Sequence, residues 1–134
     1  MDTNTATQVL ISGIISGFIL FQTAFVAPTV FTKVDAASRP LFLRSIFPKL
    51  FVAITFLGSL FTVVAYLGSN TTWVQYFVGI YTALAGLSCG ILVPATNKAK
   101  DEGDQKTFAV LHKVSVFTTI LALLFNIIWV FYKR

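Results

Sequence analysis

The chain holds one cysteine, Cys89, and one histidine, His112. A thiol and an imidazole together could make a soft two-ligand metal site, and Cys89 lies one turn inside an apolar run while His112 opens the next. Structural and catalytic metal sites take three or four protein ligands, and no other residue of that kind is at hand. A homodimer would double the count, and an axial haem ligand needs only one imidazole. The plainer role for His112 is to cap or hydrogen-bond a loop. No Ser-His-acid set, phosphate-cradling glycine loop or paired-histidine motif occurs. No catalytic residue and no cofactor is therefore expected, and a lone cysteine excludes an intrachain disulfide.

The remaining polar candidates lie within apolar runs: Gln22 and Thr23 in the first, Ser88 and Cys89 in the third, Asn126 in the fourth. Sliding the chain against itself by 66 positions pairs Gln22 with Ser88 and Thr23 with Cys89, so both pairs fall at one depth. That predicts a buried polar layer, serving either a small binding site or interhelical hydrogen bonds. Such bonds contribute about 0.6 to 2 kcal/mol each in membranes. No Asp, Glu, Lys or Arg lies deep in a run, which argues against proton-coupled pumping.

These residues are carried by four apolar runs, at about 9–31, 50–67, 73–93 and 114–131. Hydrophobic residues make up 56% of the chain and charged residues 11%, with a mean hydropathy of +0.82. A soluble domain of this size would leave too much apolar surface in water, whereas about 20 apolar residues cross a bilayer as a helix. The expected fold is an all-α integral membrane protein, one four-helix domain spanning residues 1–134. The first run is too long for a signal peptide and reads as a retained span.

Orientation follows from charge. Lys33, Arg39, Arg44 and Lys49 flank the first gap, and Lys98, Lys100, Lys106 and Lys113 the third, while Gly68-Ser69-Asn70-Thr71-Thr72 carries no charge. Short basic loops stay cytoplasmic, so both termini, with Lys133 and Arg134, are expected on the non-cytoplasmic side. Trp73, Tyr76, Trp129 and Tyr132 read as an aromatic belt there. The basic residues face lipid headgroups, which removes nucleic acid as the reason for the net charge of +5. Asn70-Thr71-Thr72 is a formal glycosylation acceptor in a turn too tight for the modifying machinery.

The gaps hold structure too. Ser38-Arg39-Pro40 favours a helix start near Ser38 that runs into the second span, and acids at Asp101, Glu102 and Asp104 favour a start of the last helix near Asp104. Pro28, Pro48 and Pro94 are expected helix kinks. The 66-residue register also aligns Gly13 with Gly79, Pro28 with Pro94 and Asp35 with Asp101, predicting two repeated helical hairpins. Small residues four apart, Gly13 and Gly17 in span one, and Gly79, Ala83, Gly86 and Gly90 in span three, predict close packing of those two spans.

The run Ala24-Phe25-Val26-Ala27-Pro28-Thr29-Val30-Phe31, then Ile46-Phe47-Pro48-Lys49-Leu50-Phe51 and His112-Lys113-Val114-Ser115, resembles the transmembrane-protein-205-like family. In that family a Leu-Phe-Pro-x-Tyr-Phe-type motif holds tyrosine where this chain has Leu50. The resemblance implies a four-helix domain similar in architecture to the copper-resistance-D-like group, with no established biochemical activity.

The function expected is that of an accessory or scaffolding subunit, self-associating or joining a larger membrane complex. Lys33, Arg39, Phe42, Arg44, Phe47 and Lys49 would contact lipid or a partner. The alternatives are a carrier or binding protein for a small apolar molecule or metal ion, and a haem-linked redox protein. Compact loops favour a bacterial inner membrane over a eukaryotic endomembrane.

Overall fold

Hydrocarbon offers the backbone no hydrogen-bond partner, so a chain crossing it must satisfy its peptide groups internally. A computed structural model describes residues 1–132, and the described residues contain helices and no strand. Lys133 and Arg134 lie outside the described residues.

The first span is α1 (Thr3–Phe21), a π-helical turn (Gln22–Val26) and α2 (Ala27–Lys33). The second is α3 (Arg39–Leu67), the third α4 (Trp73–Asp101), and the fourth α5 (Gln105–Ile128) with a 3-10 turn at Trp129–Phe131. All four spans, of 27 to 31 residues, are long and apolar enough to cross a bilayer. They outrun the apolar stretches because polar helix continues beyond them on the basic side. There Pro48 and Pro94 lie within unbroken helices, and Pro28 follows the π-turn, in which the Ala27 N–H bonds Gln22 O.

Side chains set the helix ends. Asp2 accepts from Thr5 N at 2.8 Å, Asp104 accepts from Thr107 N at 3.0 Å, and Thr72 forms a capping box with Gln75. Each satisfies backbone donors that a helix start leaves open. Asp35 closes the first basic gap by accepting from Ala37 N and Ser38 N. Contacts with Ser38 hold the Asp35 carboxyl below the ordinary range, and contacts with Thr107 do the same for Asp104.

The helices stand in a ring, α1 between α3 and α5, and α4 between the same two. Spans one and three are thus diagonal, which corrects the close contact expected of them. The intimate pair is α3 and α4, joined by the turn at Gly68–Thr72. Gly58 explains it. A Cβ there would lie 2.9 Å from Ala83 Cα and Thr82 C, and one on Gly86 would lie 2.7 Å from Thr55 N. Gly79 abuts Phe61 and Thr62. Glycines on both helices let the backbones meet, and dispersion over that close contact is what holds helices together in lipid. A Cβ on Gly90 would have ordinary room beside Phe51, and one on Gly13 or Gly17 would meet nothing within 4 Å beyond its own helix backbone.

Candidate functional site

The polar interior is a hydrogen-bond chain through three helices in the half of the bundle away from the basic loops. Trp129 Nε1 donates to Ser12 Oγ at 2.8 Å, and Ser12 Oγ donates to Asn126 Oδ1 at 2.9 Å. The Asn126 amide donates to Thr82 Oγ1 and to Ala122 O, both at 2.8 Å, and Thr82 donates on to Val78 O at 2.7 Å. Ser12, Thr82 and Asn126 are almost fully buried. Phe61 closes the chain with its ring edge-on to Trp129, 5.4 Å between centroids. Every group is neutral, and Asn126 uses both its donors and its acceptor. The arrangement fastens α5 to α1 and α4, and the Ser12 and Thr82 hydroxyls donate to an amide and a backbone carbonyl rather than to a base.

Trp129 also marks where the aromatic-belt expectation needs correction. Trp73 is exposed as a belt residue should be, but Trp129 is buried. The 3-10 turn carries its indole inward, where the N–H finds Ser12. Trp129 also lines a cavity of about 300 Å³ together with Met1, Thr5, Val9, Thr72, Val74, Gln75 and Tyr132. Gln75 is locked in place, its Oε1 accepting from Thr72 N at 2.8 Å. The first and last described residues thus both line this cavity, at the end of the bundle opposite the basic loops.

The polar layer drawn from the 66-residue register does not assemble. Gln22 and Cys89 are buried, but Thr23 and Ser88 are exposed. Thr23 donates to Ile19 O of its own helix. Apolar context had hidden which face each residue occupies, and neighbours in sequence lie about 100° apart on a helix. Cys89 Sγ sits 3.7 Å from Ser115 O and 3.9 Å from Thr119 Oγ1. His112 is exposed and stacks on Phe108, with ring centroids 5.7 Å apart. Among the described residues no three His, Cys, Asp or Glu side chains gather.

At the basic end, Arg44 forms an ion pair with Asp101, tying α3 to α4. The Arg39 guanidinium lies 6.0 Å from the Phe31 ring centroid and donates to Val34 O, and Lys100 lies over Phe108 at 4.9 Å. Phe47 stacks on Phe51, while Lys33, Phe42 and Lys49 are exposed.

A family model described as a domain of unknown function (DUF4149) matches residues 10–105. The chain belongs to that family. The match takes in most of the first span, all of α3 and α4, and the first residue of α5. Within the DUF4149 match lie Ser12, Gln22, Gly58, Thr82, Gly86 and Cys89; Asn126 and Trp129 lie beyond it. No curated protein matches the chain, and no solved structure does.

Sequence reasoning singled out Asn126 but missed its partners Ser12 and Thr82, missed that Trp129 turns inward to Ser12, and missed Gly58. The signal was present: Ser12, Ile15 and Ile19 repeat at helical spacing on the buried face of α1, so Ser12 belongs to the core rather than to the Gly13–Gly17 face.

Proposed function

We propose that this DUF4149 protein is a membrane scaffold or accessory subunit that self-associates through the outer face of its first span. The observation that carries the reading is the bare pair Gly13 and Gly17, four residues apart, where a Cβ added to either would meet nothing within 4 Å beyond the backbone of its own helix. The fold uses Gly58, Gly79 and Gly86 internally. Gly13 and Gly17 are left on the outside, flanked by exposed Leu10, Ile14 and Phe21. Small residues so spaced let a second helix approach closely in lipid. A second copy presents the same face and completes a two-fold contact.

The basic loops are read as cytoplasmic and both chain ends as lying across the membrane, by the retention of short positive loops. Arg39, Phe42, Arg44 and Phe47 would then meet lipid or a partner there. The transmembrane-protein-205-like kinship, the two-hairpin repeat and a bacterial inner membrane belong to the same proposal.

Crosslinking in native membranes, followed by sizing in mild detergent, tests it. A dimer that Gly13→Leu and Gly17→Leu convert to monomer is expected. A parent chain that is monomeric at native expression sinks the reading. A second reading, a binder of a small neutral molecule, draws on the cavity beside Trp129 and Gln75, whose size is near the lower end for ligand pockets.

A further inference from the structure

Gln75 is 2% exposed and sits in the first turn of α4, where it lines the cavity of about 300 Å³ beside Trp129. Its Oε1 accepts from Thr72 N at 2.8 Å and also from the Thr72 hydroxyl. A backbone N–H only donates, so the oxygen must be the atom at Thr72 and the Nε2 must point away from it. That Nε2 has no hydrogen-bond partner among the described residues. The side-chain atoms there that are both fully enclosed and unpartnered are Gln8 Oε1 and Gln22 Nε2. Gln75 Nε2 is not one of them, so it keeps contact with open space, and the open space beside this buried residue is the cavity. An amide held rigid by its oxygen thus shows the cavity an unspent donor, whose pairing is worth most where water is scarce.

The rest of the wall decides what that donor can meet. Val9, Val74 and Val130 are apolar, and Trp129 offers only its ring, because its N–H is bonded to Ser12 at 2.8 Å. None of the side chains lining the cavity is charged, so an ion would leave water without a counter-charge. The occupant that fits is neutral and mostly apolar, with one good acceptor. A carbonyl oxygen accepts and brings no proton. A hydroxyl would bring one, and the amide oxygen beside it already holds two donors. The volume, near the lower end for ligand pockets, suits a compact molecule rather than a diacyl lipid.

We propose that the cavity binds a small neutral carbonyl compound, a ketone or a quinone-like ring. Its oxygen accepts from Gln75 Nε2, and its apolar body lies against Trp129 and the valines. This assignment rests on the second reading above, that the cavity is a binding site for a small neutral molecule. It is independent of self-association through Gly13 and Gly17, which lie on the exposed face of α1.

Nuclear magnetic resonance of the full chain in dodecyl maltoside, a detergent with no carbonyl, tests it. The probes are acetophenone and ethylbenzene, which share a ring and differ by one carbonyl oxygen. Acetophenone should shift the Gln75 side-chain amide protons downfield to saturation, while ethylbenzene should not. Gln75→Glu keeps the oxygen that caps α4, since glutamate serves a capping box as glutamine does, but removes the donor. It should melt as the parent does and weaken acetophenone by roughly tenfold, the loss of one hydrogen bond. Val74→Phe, which fills the cavity, should abolish the binding of acetophenone with the cap intact. Every comparison is made in the same micelles, so partition into detergent cancels. If Gln75→Glu holds acetophenone as the parent does, or if ethylbenzene binds as tightly, the carbonyl assignment is overturned while the cavity still stands as a binding site. If neither probe binds, or if Val74→Phe binds acetophenone unchanged, both fall. A phospholipid ester offers the same carbonyl on a larger body, so dihexanoyl phosphatidylcholine is the competitor; its displacing acetophenone at equal concentration would overturn the assignment to a small molecule.

Discussion

Replacing Gly58 by alanine puts the packing of this bundle to its hardest test. The added methyl carbon would stand 2.9 Å from Ala83 Cα and from Thr82 C, with Ala83 N nearer still, against an ordinary contact of 3.4 Å or more. Those atoms are backbone of α4, so no side chain can swing aside, and α3 must move away from α4 by more than about 0.5 Å. Separation loosens Gly79 on Thr62 and Gly86 on Thr55 together, because all three contacts share one interface. Overpacking of a tight core costs about 1–3 kcal/mol, and lost dispersion along the interface adds to that. Gly13→Ala is the matched control, with the same chemical change on a helix face that has nothing within 4 Å. It should leave the monomer unchanged or slightly more stable, since alanine favours helix over glycine by up to about 1 kcal/mol. Reversible unfolding read by circular dichroism, at a detergent-to-protein ratio high enough to hold the parent and both variants as monomers, gives the two differences. If Gly58→Ala is as stable as the parent, or Gly13→Ala loses as much, the placement of α3 against α4 is wrong.

Three further outcomes follow. Asn126→Leu removes the bonds to Ser12 and Thr82 and should destabilise by about 1–3 kcal/mol, taking about 0.6 to 1.7 for each interhelical bond; the same unfolding assay reads it, and Trp129 fluorescence should shift as its Ser12 anchor loosens. Asp35 and Asp104 have carboxyls held below their ordinary range by Ser38 and Thr107, so their contribution is present above the unfolded carboxylate pKa and is lost as pH falls through the lowered folded values. Amide exchange at Ala37, Ser38 and Thr107, corrected for intrinsic rates, should therefore speed up in acid, and Asp104→Asn should flatten that response at Thr107. Asp101→Asn breaks the ion pair with Arg44, whose side chains are 36% and 58% exposed, and should cost no more than about 1 kcal/mol; a larger loss of stability would mean the pair is shielded from water.

The four spans were legible in the sequence because their cause is local. Apolar runs of sufficient length are helices in hydrocarbon whatever they pack against. The cap at Asp104 and the helix start after Ser38 were legible for the same reason, since each depends on residues three or four positions away. The small residues of span three announced a close contact as well, but not its partner. Its partner is α3, through Gly58 and the threonines beside it, and no pattern confined to one helix states which helix it will meet.

Tertiary structure alone decided the polar interior. Ser12, Thr82, Asn126 and Trp129 lie as far as 117 positions apart, and each taken singly has an ordinary explanation as a small, polar or interfacial residue. In lipid no hydrophobic force sorts one face of a helix from another, so hydropathy does not reveal which polar residues turn inward. It is the fit of the backbones that turns Trp129 in and Thr23 and Ser88 out. The same fit leaves Gln22 enclosed with an unspent donor.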